Sequence, residues 1–388
     1  MISVRGVARV VVVAAVLMVA WVLLLTGTAL AAPGDLLQTF VNPGAASFGY
    51  AVASVGDKVV VGAPHSNAAF IFDASTGNLV HSLGGGGFFG FCVAQAGDRA
   101  VVGAIYDQGG LSYVFNSQTG GLVHTLASPG APNFGYSVGG LGGNPLVGAT
   151  NQGGAGEAYM FSGQSGGLLT TFADPLPGTG GCFGYSVSAV GDKVVVGAPY
   201  RGTVHVFNPV TGALERTLVS PDLAGADYFG YSVAGLGGEI LVGAPQPDGS
   251  TAKPGAAYLF DAQTGALLHT FGNPNASPGD HFGHRVAAVG GDALVGAVLD
   301  DTAAVDGGAA YLFDGDTGAP LLSVISPSPS DGGLFGESVA ALGSNILVSS
   351  YGAGGRAYLF EGVPEPATLS LLALGGLALL HRRIAGSA

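Results

Sequence analysis

Basic residues are scarce in this chain: 12 Lys and Arg against 25 Asp and Glu leave a formal net charge of -13 over 388 residues. Phosphate binding needs a basic stripe, so nucleic acid is excluded as a partner. Cysteine is almost missing too. Cys92 and Cys182 are too few for a disulfide framework, and no metal-ligand spacing of cysteines exists. They fall in repeats two and four of the pattern described below, which would not be neighbours in a ring. A bridge between them is therefore the weaker reading beside two small buried hydrophobes. Long apolar runs are confined to the two ends. Elsewhere each run is short and bounded by Gly, Pro, Asn or Asp, so a composition of 48% hydrophobic residues signals strands and turns, not a membrane bundle. The same shortness excludes an outer-membrane barrel, whose strands need about 9–11 residues. No nucleophile elbow, P-loop or HExxH helix occurs, and the many Gly-x-Gly strings follow from 70 glycines.

What the chain has instead is a repeat. Phe-Gly pairs begin at Phe48, Phe89, Phe134, Phe183, Phe229, Phe282 and Phe335, and fourteen residues after each stand Gly62, Gly103, Gly148, Gly197, Gly243, Gly296 and finally Ser349. Successive pairs lie 41, 45, 49, 46, 53 and 53 residues apart. That is the spacing of four-stranded propeller blades with loops of variable length. The fifth repeat displays four strand-like runs at residues 229–234, 239–244, 257–261 and 266–271, rich in Val, Leu, Tyr and Phe and too short for helices. Tight Gly turns join runs one and two, as at Val55-Gly56-Asp57, and Thr-Gly turns such as Thr264-Gly265 join runs three and four. Runs apolar on both faces, Val59-Val60-Val61 and Val194-Val195-Val196, suit sheets sandwiched between neighbours.

The last repeat stops after its third run at residues 357–361. Leu36-Leu37-Gln38-Thr39-Phe40 followed by Asn42-Pro43 matches Leu267-Leu268-His269-Thr270-Phe271 followed by Asn273-Pro274. The N-terminal segment is thus expected to supply the fourth strand of blade seven and close the ring. The fold expected is all-β: a seven-bladed propeller over residues 34–362, flanked by an N-terminal signal helix and a C-terminal hydrophobic helix.

These Phe-Gly and Gly-Ala-Pro pairs, clearest at Phe48-Gly49 with Gly62-Ala63-Pro64, Phe183-Gly184 with Gly197-Ala198-Pro199 and Phe229-Gly230 with Gly243-Ala244-Pro245, resemble the FG-GAP repeats of integrin α-chain propellers and secreted bacterial proteins. The resemblance covers essentially the whole body. It implies a seven-bladed β-propeller and an extracellular recognition role. Many members carry a calcium loop between the two halves of the signature. Here only a tight turn stands there, as at Ser54-Val55-Gly56-Asp57-Lys58, which offers one carboxylate where calcium takes 6–8 oxygens. The chain resembles the calcium-free bacterial version, and neither a metal nor a cofactor is expected.

Both ends read as addresses. Residues 1–32 resemble a secretory signal: Arg5 and Arg9, an apolar stretch over residues 10–25, and Ala29-Leu30-Ala31 as cleavage site. The apolar stretch also suits an uncleaved signal anchor. Residues 363–388 hold Val363-Pro364-Glu365-Pro366, an apolar stretch over residues 367–380, and then Arg382-Arg383. Fourteen residues of helix reach only about 21 Å, short of a bilayer core of about 30 Å. This tail resembles the PEP-CTERM sorting signal of exported proteins in Gram-negative bacteria. The resemblance implies signal peptidase and a membrane exosortase as partners during export, transient membrane association, and release to the outer surface or extracellular matrix. A plain C-terminal anchor is the other reading.

For function, the long polar loops emerge on one face of blades four to seven: residues 220–228, 273–281 and 326–334 after strand four, and residues 246–255 and 298–308 after strand two. Their carboxylates, Asp222, Asp227, Asp248, Asp280, Asp300, Asp301, Asp306 and Asp331, suit a cationic or polyhydroxyl ligand, or serve solubility alone. Asp314-Gly315-Asp316 reads as a solvated acidic loop. His81, His124 and His269 share one outer-strand position and read as decoration, and residues 281 and 284 of a strand point to opposite faces, which speaks against a His281–His284 metal pair. The leading reading is a non-enzymatic interaction protein whose partner is an exopolysaccharide or surface protein. The alternatives are a passive structural protein and a channel-site enzyme, quinone-dependent or glycan-cleaving. The segment Phe-Asp-Ala-x-Thr-Gly at residues 260–265 resembles quinoprotein repeats, but the Trp that usually closes them is missing, since the one Trp is Trp21.

Overall fold

The short strand-forming runs fold into seven four-stranded antiparallel sheets, six of them paired in sequence order from an inner to an outer strand and the seventh taking its outer strand from the N-terminal segment. The computed structural model describes residues 31–363 except 152, 153, 177, 179, 223–226, 247–253 and 353. The signal-like residues 1–30 and the tail 364–388, with Ala29, Pro364, Glu365, Pro366, Arg382 and Arg383, lie outside the described residues, whereas Ala31 is described and exposed. Among the described residues no helix is long and apolar enough to cross a membrane. Blade one comprises Ala51–Val55, Lys58–Ala63, Ala68–Asp73 and Leu79–Gly84. Blade seven comprises Phe335–Leu342, Asn345–Ser350 and Arg356–Phe360, with Leu36–Val41 hydrogen-bonded along the outer edge in the register Phe40 to Ala357 and Val41 to Arg356.

The core is divided into seven apolar seams, each between one blade and the next. Blade one meets blade two through Val60, Ile71 and Leu83 against Phe89, Val102 and Phe115, while blade seven meets blade one through Leu359 and Phe40 against Val59, Phe70 and Phe72. Second strands lie inside the wall of sheets, which is why Val59, Val60 and Val61 are all fully buried. Every Phe of the Phe-Gly pairs is also fully buried. Each stands edge-on to a third-strand Phe of its own blade, from Phe229 to Phe260 at 5.7 Å to Phe335 to Phe360 at 6.1 Å, a favoured aromatic geometry.

The two glycines of the signature have separate physical causes. In all seven blades the Phe-Gly pair forms the centre of a four-residue turn, closed for example by Tyr231 N donating to Tyr228 O at 2.9 Å and Tyr185 N to Cys182 O at 3.2 Å. The turn glycine has φ between 85° and 93°, as a type II turn requires at its third position. The Gly-Ala glycine is dictated by close approach: a Cβ on Gly197 would stand 2.1 Å from Gly230 O of the next blade, and one on Gly62 2.1 Å from Gly90 O. Blade seven departs from this rule. Ser349 occupies the position, with its hydroxyl turned onto Ser338 N of its own blade at 3.1 Å.

First strands differ from the expected bounds in a regular way. They begin at the Phe in blades two, three, six and seven, but at Ala51, Ser186 and Ser232 in blades one, four and five. Those three blades carry Pro64, Pro199 and Pro245 after Gly-Ala. Proline has no N–H to complete the pair with the residue before the Phe, so the ladder ends earlier. Fourth strands start with a bulge in all seven blades, as between Leu259 and Phe260 opposite Leu267 and His269. The extra residue leaves two consecutive apolar side chains exposed, Leu267 and Leu268 in blade five.

Candidate functional site

Each Phe-Gly turn turns the following side chain toward the propeller axis. These residues are Tyr50, Phe91, Tyr136, Tyr185, Tyr231, His284 and Glu337, and successive rings touch from blade to blade: 5.2 Å, 5.2 Å, 4.9 Å, 4.7 Å and 5.1 Å between centroids from Tyr50 round to His284. First strands touch first strands of successive blades all the way round, which makes them the inner strands, so the residues line the mouth of the central channel. The turn opens each first strand, which places the ring on the loop-rich face. Tyr231 and His284 are also joined through the hydroxyl and Nε2 at 3.3 Å. Sequence reasoning missed this ring, although an aromatic residue after Phe-Gly in five repeats carries the signal.

One cation sits in the ring. Arg285 places its guanidinium carbon 5.5 Å from the Tyr231 centroid, a cation–π contact. Burial raises the Tyr50 and Tyr185 hydroxyls above the ordinary phenol range and pushes Tyr136 up to about 12, so all remain protonated donors. Burial also pushes the Glu337 carboxyl up to about 7, against the pull of Arg285. It holds His284 well below its ordinary value, so this imidazole is neutral. Two aromatic arms continue outward from the ring. Tyr228 packs on Tyr231 at 6.4 Å and on exposed Tyr200 at 5.1 Å, and on the opposite side Phe88 packs between His65 at 4.9 Å and exposed Tyr106 at 5.3 Å.

The acidic loop residues are not equivalent. Asp227, Asp280 and Asp300 are buried and hold their own loops together. Asp227 accepts from the Ser220 hydroxyl and from Phe229 N at 3.1 Å. Asn273 Nδ2 bridges Asp280 at 2.7 Å and Asp300 at 2.9 Å, and the Tyr311 hydroxyl donates to Asp300 at 2.6 Å. Burial, aided by Asp300 and Asp301, pushes Asp280 up to about 6. Asp301, Asp306 and Asp331 are exposed and clustered: Asp306 N donates to Asp301 at 2.8 Å and Val305 N to Asp331 at 3.2 Å. Asp222 is half-buried in its loop, and Asp248 lies outside the described residues. Among the described residues no group of three or more His, Cys, Asp or Glu is placed to hold a metal ion. Asp314 caps its own Thr-Gly turn, accepting from Thr317 N and its hydroxyl at 2.7 Å each.

One other residue set, the outer-strand histidines, differs from its sequence reading, whereas the cysteines agree with theirs. His81, His124 and His269 are latches between blades, with Nε2 lying 2.9 Å from Gln118 O, 3.1 Å from Gly163 O and 3.0 Å from Asp316 O of the following blade. A carbonyl only accepts, so each ring carries its proton on Nε2. Cys92 and Cys182 are both free. Cys92 donates to Gly135 O at 3.1 Å, and burial pushes the two thiols up to about 12 and about 11. Neither is a reactive nucleophile.

No curated protein matches the chain. The FG-GAP repeat family matches residues 213–260 and 273–313, parts of blades four to six. Over those two segments the chain is similar to FG-GAP repeats, and the turn geometry that the signature encodes there recurs in all seven blades of the propeller.

Proposed function

We propose that this propeller is an exported, non-enzymatic interaction protein that displays its loop-rich face and channel mouth at the cell surface or in the extracellular matrix. Residues 1–32 act as the export signal, read by signal peptidase at Ala29-Leu30-Ala31. Residues 363–388 act as the sorting signal, read by an exosortase at Pro364-Glu365-Pro366, with Arg382 and Arg383 stopping transfer. The observation that carries the reading is the placement of the two ends. Gly34 N donates to Glu361 O at 2.8 Å and Glu361 N to Asp35 O at 2.9 Å, so both addresses join the propeller side by side on its tight-turn face. A body held by either end therefore turns its opposite, loop-rich face outward. The pairing of Leu36–Val41 with Arg356–Phe360 supports ring closure by the N-terminal strand.

The test is the intact mass of the protein recovered from the surface of the producing cell, with protease shaving of whole cells. The reading expects a chain cut near Ala31 and near Pro364 and digested from outside. A full-length chain that whole cells protect from protease contradicts it.

A further inference from the structure

The position after the channel residue is small in six blades: Ala51, Cys92, Ser137, Ser186, Ser232 and Ser338. There the side chain stitches neighbouring blades. Ser137 donates to Gly184 O at 2.9 Å and Ser186 to Gly230 O at 2.8 Å, while Ser232 and Ser338 accept from Val286 N and Val52 N at 3.1 Å each. Blade six alone puts Arg285 at this position. Nothing in the repeat requires a cation there, and although the Glu337 carboxyl of the next blade attracts it, its guanidinium makes few hydrogen bonds. The one hydrogen bond it makes among the described residues goes to His284 O at 3.3 Å, and none of the ion pairs among those residues includes it. A partly desolvated guanidinium with unused donors is costly unless an anion completes it. Around it lie aromatic faces with protonated hydroxyls. The surface continues to Tyr200 at 50% and Tyr106 at 64% exposure, high values for large aromatic side chains, which rest on Tyr228 and Phe88 respectively.

We propose that this channel mouth binds a saccharide bearing a single carboxylate, a uronic-acid unit within an otherwise neutral chain. Arg285 takes the carboxylate as a planar fork. The rings of Tyr50, Tyr136, Tyr185 and Tyr231 supply stacking surface, the first three add hydroxyl donors, and the Tyr200 and Tyr106 arms hold neighbouring sugars. One carboxylate is favoured over many because the site offers one cation on a chain whose net charge is -13, which repels a polyanion. The inference rests on the interaction role proposed above and specifies its ligand class.

The test is calorimetric titration of the purified full chain with two oligosaccharides that share one neutral backbone, one of them carrying a single glucuronic acid branch. The acidic oligosaccharide is expected to bind at least about tenfold more tightly, as a charge-assisted contact gives. Arg285→Ser installs the residue that four other blades use, so the fold is kept, and it is expected to abolish that preference while leaving thermal unfolding in place. Arg285→Lys, which keeps the charge and loses the fork, is expected to retain part of it. Tyr200→Ala is expected to weaken both ligands alike. Equal affinity for the two ligands, no binding of either, or an Arg285→Ser variant that keeps the preference overturns the proposal. If neither ligand binds while the chain is still retained by matrix, the site assignment falls and the interaction role stands. Loss of matrix retention as well brings down both.

Discussion

Phe40 is the residue on which closure of the ring can be weighed. It is fully buried, with its ring 5.5 Å from Phe72 of blade one, in the seam that also holds Phe48 and Leu359. Phe271 occupies the same position in blade five, 1% exposed and 5.0 Å from Phe313 of blade six. One of these strands precedes the first repeat in sequence and the other is internal, yet they bury equal side chains in equivalent seams. Truncating a buried Phe to Ala costs about 3–5 kcal/mol, from lost transfer energy and the cavity left behind. Phe40→Ala and Phe271→Ala are therefore expected to lower unfolding free energy by that amount and by similar amounts, measured as urea midpoints with unchanged slope. If Phe40→Ala costs less than about 0.5 kcal/mol, the range of surface changes, while Phe271→Ala costs several, then Leu36–Val41 is not a structural strand of blade seven.

Gly197→Ala, whose Cβ would meet Gly230 O at 2.1 Å, is expected to cost about 3 kcal/mol in the same assay, whereas Gly191→Ala, with φ of 57° and nothing within 4 Å, should cost only about 1–2 kcal/mol for its left-handed backbone. Replacing His124 by Ala removes the latch to Gly163 O and should cost about 0.5–1.5 kcal/mol. Glu337 binds its proton more tightly folded than unfolded, so the stability tied to it is full below about 4.5 and is lost as the pH rises through about 7. Glu337→Gln is therefore expected to be more stable than the parent at pH 8, with the difference shrinking toward pH 4.5. His284, held neutral, works in the opposite direction below its ordinary value of 6.5 in both proteins.

The blade was readable because its constraints are local. Fourteen residues from Phe to Gly-Ala span a turn, two strands and a tight hairpin, and every step is fixed by glycine geometry or by alternation within that window. Leu36–Val41 was readable for the same reason, since its residues repeat those of Leu267–Phe271. The channel ring was not, because a Tyr after Phe-Gly reads as one more strand residue until the turn glycine's φ near 90° directs it to the axis. The roles of Asp280 and Asp300 depended on Asn273 reaching both carboxylates, 7 and 27 residues away. His81 depended on a carbonyl 37 residues on, in another blade. Partners at such separations leave no pattern in a single chain.

Which face meets the partner can be measured by masking one face at a time. Val305, 61% exposed, lies in a long loop, and Val210, 84% exposed, lies in a tight turn on the opposite face. Because Cys92 and Cys182 are partly or fully buried with raised thiol pKa values, Val305→Cys and Val210→Cys can each be coupled selectively to a bulky maleimide. Retention of the full chain on matrix from the producing cells is then measured by sedimentation. The account predicts retention that is lost when position 305 is masked and kept when position 210 is masked. Retention that survives masking at 305 but not at 210, or no retention of the unmasked chain, contradicts it.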